Sequence, residues 1–105
     1  MRITYPSFVN TNSFLITNAG LASAKSTKVI KRFLQNLGTN PVYVKLNAAA
    51  AANAATANAA DFILPAAAAQ DDGSVAPMEI TEFRGAIYIA GTTPRVLVSE
   101  AYTQA

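Results

Sequence analysis

The fold is decided by residues 78–100, which read MEITEFRGAIYIAGTTPRVLVSE. This stretch contains short runs, rich in Ile and Val, that are apolar or alternate apolar with polar residues. Such runs are typical of strands that bury one face. Arg84-Gly85 and Gly91-Thr92-Thr93-Pro94 interrupt them with residues that favour turns. We therefore predict a β-meander of three short strands, from Met78 to Phe83, from Ala86 to Ala90 and from Arg95 to Glu100.

Two further strands are predicted upstream. Within residues 41–46, Val42, Val44 and Leu46 share one face while Tyr43 and Lys45 take the other. Residues 26–37 are ambiguous, because their apolar residues also recur at helical spacing, with Ser26 as a possible cap and Gly38 as a stop. We expect two antiparallel strands joined by a loop of hairpin length, and a helix over residues 26–37 is the alternative.

The rest of the chain is expected to be mostly loop. Residues 61–64 form a short strand that ends at Pro65, and the Ala-rich residues 47–60 form a loop, since they have no large apolar side chain. Residues 1–24 are expected to be an extended arm with one short strand near residues 14–17. Residues 25–105 then form a single all-β domain, a small antiparallel sandwich or barrel of six to seven short strands.

Composition narrows the possible functions. The 105 residues are enough for one domain with a small core, and charged residues make up 13% of them, about half the usual ~25%. A surface with so few charges suits contact with other subunits. The net charge of +2 does not imply nucleic-acid binding. We expect no membrane association either, because no apolar stretch is long enough to span a bilayer.

Little in the sequence could carry out catalysis or hold a metal. The chain has no Cys and no His, and no nucleophile elbow or phosphate-binding loop. Glu79 and Glu82 are expected on opposite faces of a strand, so they do not form a catalytic pair. Asp71-Asp72-Gly73 lacks the closing carboxylate of a calcium loop, and we interpret it as a turn. We expect no catalytic residue, no cofactor and no metal site.

Two groups of residues are candidates for binding. Tyr43 and Tyr88 point away from the Val or Ile face of their strands, either toward a partner or toward a second buried face. Lys25, Lys28, Lys31 and Arg32 are half of the basic residues, and we expect a solvated strand face, with contact to phosphate or to an acidic partner as the alternative.

Three stretches carry a resemblance to a known group of proteins. They are FLQNLGTNPVYVKL at residues 33–46, DFIL through DDG at residues 61–73, and FRGAIYIAGTTPRV at residues 83–96. In this order they resemble small structural proteins of tailed-bacteriophage particles. The resemblance implies a compact β-sandwich or barrel, favours a strand over residues 27–37, and carries over no catalytic residue.

The resemblance implies a virion protein that is made in the bacterial cytoplasm. Within the particle we expect a capsid decoration or cement protein, whose partners are the major capsid protein or other virion subunits and which assembles as a homotrimer. A neck, tail or fibre-associated protein is one alternative. A carbohydrate- or receptor-binding module is another, although the absence of Trp disfavours it.

The N-terminal arm supplies the last candidates. Tyr5, Phe8 and Phe14 are aromatic residues in a segment with no self-contained fold. We expect them to contact the capsid lattice or another subunit, and local packing on the sandwich is the equally weighted alternative.

Overall fold

The computed structural model describes residues 8–46 and 60–103. These residues form eight strands and no helix. In chain order the strands are β1 (Phe8–Ile16), β2 (Gly20–Ser23), β3 (Val29–Asn36), β4 (Val42–Leu46), β5 (Phe62–Leu64), β6 (Met78–Thr81), β7 (Ile87–Ala90) and β8 (Val96–Thr103).

The strands form two antiparallel sheets of four strands each. Sheet A has the order β1-β8-β3-β6, and sheet B has the order β2-β7-β4-β5. The predicted all-β antiparallel fold is therefore confirmed. Residues 29–36 form a strand, so the helix considered for that segment is wrong.

The core lies between the two sheets and follows from the period-two pattern of the strands. Sheet B contributes Val42 and Val44 of β4, together with Ile87 and Ile89 of β7, all with no exposed surface. Sheet A faces them with fully buried side chains of β3 and β8, namely Leu34, Val96 and Val98. Residues 32–36, 42–44 and 96–100 bury every second side chain, and this alternation fixes the register of β3, β4 and β8.

Except for β4 and β5, successive strands of the described residues alternate between the sheets, which the sequence did not reveal. β6 lies in sheet A, β7 in sheet B and β8 in sheet A, so the predicted meander over residues 78–100 is wrong. The hairpin predicted between residues 26–37 and 41–46 is wrong for the same reason, since β3 and β4 lie in opposite sheets. A hairpin and a crossing between sheets bury the same alternate residues, so periodicity does not distinguish them.

A buried amide holds the crossing between β3 and β4 in place. Asn36 is fully buried, and its Nδ2 donates to the carbonyl oxygens of Asn40 at 2.9 Å and of Pro65 at 3.0 Å. The backbone N–H of Gly38 donates to Asn36 Oδ1 at 2.9 Å. One side chain thus satisfies the backbone of a loop that leaves sheet A and enters sheet B.

The N-terminal segment is more regular than expected. β1 pairs with β8 along its length, and β2 pairs with β7, so residues 8–23 complete both sheets instead of forming an extended arm. The two strands raise the count to eight from the six to seven expected. Residues 1–7, 47–59 and 104–105 lie outside the described residues. The range 47–59 is most of the predicted Ala-rich loop.

Candidate functional site

The outer surface of sheet B carries the clearest group of exposed apolar residues. Tyr88 is the register partner of Leu21 on β2 and of Lys45 on β4. Tyr43 is the register partner of Ile63 on β5. We refer to Leu21, Tyr43, Ile63 and Tyr88 as the sheet B outer face.

This face exposes side chains that normally lie inside proteins. Leu21 is 50% exposed and Ile63 is 46% exposed, while Tyr43 and Tyr88 are half-buried between them. Exposed apolar side chains grouped on one face of a sheet, here beside Lys45, are typical of sites of contact with other molecules. The structure thus places Tyr43 and Tyr88 together on a surface and not in a second core.

The aromatic residues of the predicted arm have a different placement. The side chain of Phe14 is partly buried and packs against the core, opposite Val98 of β8. Phe8 begins β1, where its backbone pairs with Thr103. Tyr5 lies outside the described residues. Phe14 thus follows the local-packing alternative and lies apart from the sheet B outer face.

The four clustered basic residues are divided among three environments. Arg32 has no exposed surface and lies inside the sandwich, so its expected place on a solvated face is wrong. Lys31 Nζ lies 4.0 Å from Glu79 Oε2 on β6. Lys25 and Lys28 occupy the loop between β2 and β3. A signal for the burial of Arg32 was present, since it stands two residues before Leu34 on the same strand face.

Arg32 belongs to a buried polar network that joins the two sheets. Ser23 Oγ of sheet B accepts a hydrogen bond from Arg32 Nη1 at 3.2 Å and donates one to Glu100 Oε2 at 2.5 Å. Tyr102 donates its hydroxyl hydrogen to Glu100 Oε1, and Asn12 Nδ2 donates to the same oxygen at 3.3 Å. Burial raises the pKa of Tyr102 to about 12, and the hydrogen bond to Glu100 adds to this effect.

The same guanidinium also holds two loops. Arg32 Nη1 donates to the carbonyl oxygen of Ala24 at 3.4 Å, in the β2–β3 loop (residues 24–28). Its Nη2 donates to the carbonyl oxygen of Phe83 at 2.5 Å, in the β6–β7 loop (residues 82–86), and its charged carbon lies 5.4 Å from the centre of the Phe83 ring. The pKa of Arg32 is lowered, because the effect of burial is larger than the opposing effect of the Glu100 carboxylate.

A cleft opens between these two loops. It has a volume of about 340 Å³ and is lined by Leu21, Ala24, Lys25, Ala86 and Tyr88. A second hollow of about 270 Å³ is lined by Lys25, Ser26, Thr27 and Arg84. Lys25 borders both, and we call the two together the basic cleft. Sequence reasoning missed it, because its walls come from distant parts of the chain.

The acidic residues are held in structural contacts. Asp71 accepts two hydrogen bonds from the Arg95 guanidinium, at 2.6 and 2.9 Å, which lower the pKa of that carboxyl. Asp72 accepts from the backbone N–H groups of Ser74 and Ala69, as expected of a turn. Within residues 8–46 and 60–103, no three acidic, His or Cys residues group closely enough to hold a metal ion.

Comparisons with known proteins add no assignment. Neither a protein-family model, nor a curated protein, nor a solved structure matches this chain. Among the described residues there is no helix of the length and apolar character needed to cross a membrane. Function is therefore inferred from the sequence motifs and from the surfaces of the sandwich.

Proposed function

We propose that this chain is a non-enzymatic structural protein of a tailed-phage virion, a capsid decoration protein that binds the assembled shell and stabilises it. The observation that carries the proposal is the sheet B outer face, on which two tyrosines lie between half-exposed Leu21 and Ile63. The three sequence stretches that resemble phage structural proteins supply the biological setting.

The apolar exposure is concentrated on one sheet. Among the described residues, the large hydrophobic side chains with the greatest exposure are Leu15 on sheet A and Leu21, Phe62 and Ile63 on sheet B. Leu21 and Ile63 belong to the sheet B outer face, whereas Phe62, the register partner of buried Val44, lies on the opposite face of β5. Aromatic and aliphatic residues at the centre of a contact contribute most of its binding free energy. The partner we propose for this face is therefore the major capsid protein or another virion subunit.

Attachment to a shell requires only modest affinity at each contact. A repeating lattice raises the effective concentration of the next site once one contact is made. A protein that binds the assembled shell and not the free subunits stabilises the shell in proportion to its occupancy. A homotrimer on the three-fold axes of the lattice is part of the proposal, and sedimentation of the purified protein tests it.

Copy number in the particle tests the proposed position. Quantitative mass spectrometry of purified virions should find one copy for every one to a few major shell proteins, which amounts to hundreds per particle as an order of magnitude. A handful of copies would instead place the protein in the neck, tail or fibre. Its absence from the particles, or specific binding to a glycan array, would contradict the structural role.

A matched pair of variants tests the surface. The double substitution L21S/I63S should reduce occupancy on purified shells, because both side chains are exposed on sheet B and contribute little to the core. The control is L15S, which removes a side chain of comparable exposure from sheet A. Equal occupancy of wild type and L21S/I63S would refute the assignment of this face.

A further inference from the structure

The positive charge without an internal partner is concentrated at one end of the sandwich. Lys31, Lys45 and Arg95 each lie within ion-pair distance of a carboxylate, and Arg32 is buried beside Glu100. In residues 8–46 and 60–103, Lys25, Lys28 and Arg84 form no such pair. All three belong to the β2–β3 and β6–β7 loops.

The two loops are held together before any ligand arrives. The backbone N–H of Ser26 donates to the carbonyl oxygen of Arg84 at 2.9 Å. Lys25 and Arg84 each directly follow a residue whose carbonyl oxygen is bound by the buried Arg32 guanidinium. The backbone that carries the two cations is thus fixed, and such preorganisation reduces the entropy lost on binding.

The surface beside Lys25 is apolar on one side, while Ser26 and Thr27 line the hollow between Lys25 and Arg84. Leu21, Ala24, Ala86 and the ring of Tyr88 line the cleft beside Lys25, and Arg84 borders the adjoining hollow. Glu82 belongs to the β6–β7 loop but lines neither space. A ligand that fits must therefore present negative charge next to an apolar group.

We propose that the basic cleft binds an acidic segment of a partner protein, with an apolar side chain of the segment against Leu21 and Tyr88 and its carboxylates near Lys25 and Arg84. This inference rests on the proposed function for its choice of a protein partner, since Leu21 and Tyr88 belong also to the sheet B outer face. It adds the chemical character of the segment that docks there.

The shape and charge of the cleft favour a peptide over a nucleic acid. Binding of single strands uses several aromatic rings along a groove of many cations. Here one aromatic ring, that of Tyr88, and two cations line the described surface. Two cations are suited to one or two carboxylates, and the apolar lining next to Lys25 is suited to a neighbouring Leu or Phe side chain.

Fluorescence anisotropy with a short labelled peptide of alternating Glu and Leu tests the proposal. The purified protein should bind this probe, and binding should weaken as salt is added, because both cations are solvent-accessible. A peptide with Lys in place of Glu and one with Ser in place of Leu should both bind more weakly. An oligothymidine probe serves as the nucleic-acid control.

Variants locate the site. K25A/R84A should weaken binding of the Glu-Leu peptide about tenfold, the loss expected for two charged contacts. K28A is the matched control, since Lys28 lies in the same loop but does not line the cleft, and it should change binding less than about twofold. Circular dichroism should show that both variants retain the all-β fold.

The outcomes separate this inference from the proposed function. Absence of peptide binding, equal binding by K25A/R84A and wild type, or preference for oligothymidine would overturn the acidic-segment proposal, even if virions contain the protein in high copy number. Binding that depends on Lys25 and Arg84 would support it, and the particle analysis would still decide the structural role independently.

Discussion

Arg32 of β3 and Glu100 of β8 are register partners inside the sandwich, and the hydroxyl group of Ser23 from the opposite sheet joins their charged groups. Glu100 is 5% exposed and Arg32 has no exposed surface, so neither charge is well hydrated. The network therefore joins the two sheets through buried polar side chains.

The first prediction concerns removal of the buried negative charge. Glu100→Gln should lower the free energy of unfolding by about 3 to 5 kcal/mol, because it leaves the buried Arg32 cation without compensation. Urea denaturation measures the change. Glu79→Gln, which removes the exposed partner of Lys31, is the control and should cost less than about 1 kcal/mol. Equal losses in the two variants would show that the buried pair has no special role.

The second prediction concerns alkaline pH. Tyr102 has a pKa of about 12 in the folded protein, whereas an unfolded tyrosine has a pKa of about 10. Between these values the unfolded chain loses the phenol proton and the folded chain keeps it, so the stabilisation present below about pH 10 is lost as the pH approaches 12.

Tyr102→Phe provides the comparison for this effect. It removes the titrating group and the hydrogen bond to Glu100, so it should be less stable than wild type at neutral pH. Its urea midpoint should also fall less steeply than that of wild type over the alkaline range. Parallel curves for the two proteins would contradict the assignment.

The third prediction concerns the buried amide at the β3–β4 crossing. Asn36→Ala should lower the free energy of unfolding by about 2 to 4 kcal/mol, because the N–H of Gly38 and the carbonyl oxygens of Asn40 and Pro65 lose their partner. Asn40→Ala removes an exposed bond to Thr93 and should cost less than about 1 kcal/mol. A similar urea midpoint for both variants would count against the role of Asn36.

The fourth prediction concerns a close approach between two loops. Gly91 has a φ of +151°, and a Cβ atom added there would lie 2.8 Å from the carbonyl oxygen of Pro41. Gly91→Ala should therefore destabilise the fold by about 2 to 3 kcal/mol. Gly20→Ala is the matched control, since Gly20 has a φ of +130° but open space around it, and should cost about 1 kcal/mol. A larger loss for Gly20→Ala would refute the steric argument.

The sequence predicted the strands better than their arrangement. Alternation in residues 42–46 predicted that Val42 and Val44 share one face and Tyr43 takes the other, because side-chain direction in a strand is a local property. Partnership between strands is not local. β3 and β4 lie in different sheets, and Asn36 at the end of β3 bonds to the carbonyl oxygens of Leu64 and Pro65, which are far along the chain.

Prediction of the candidate site was limited in the same way, because the site also depends on contacts between distant parts of the chain. The strand patterns predicted that Tyr43 and Tyr88 point away from the Val or Ile face but left a partner surface and a second buried face open, and the structure places both on the outer surface of sheet B. The run from Lys25 to Arg32 looked like a solvated face, because the carboxylate that accompanies Arg32 comes from β8. The basic cleft could not be recognised, since its two loops meet only in the folded chain.

The alternation of successive strands between the sheets has a consequence for how the molecule folds. Among the described strands, β4 and β5 in sheet B are the one consecutive pair that is hydrogen-bonded, so sheet A cannot grow from a hairpin of consecutive strands. Strands that are distant in sequence must close a long loop before their contacts offset the entropy cost of closing it. This requirement is typical of domains that fold in milliseconds to seconds. We therefore expect single-exponential, slow refolding in which both sheets appear together, because a half-assembled sandwich gains stability in neither layer.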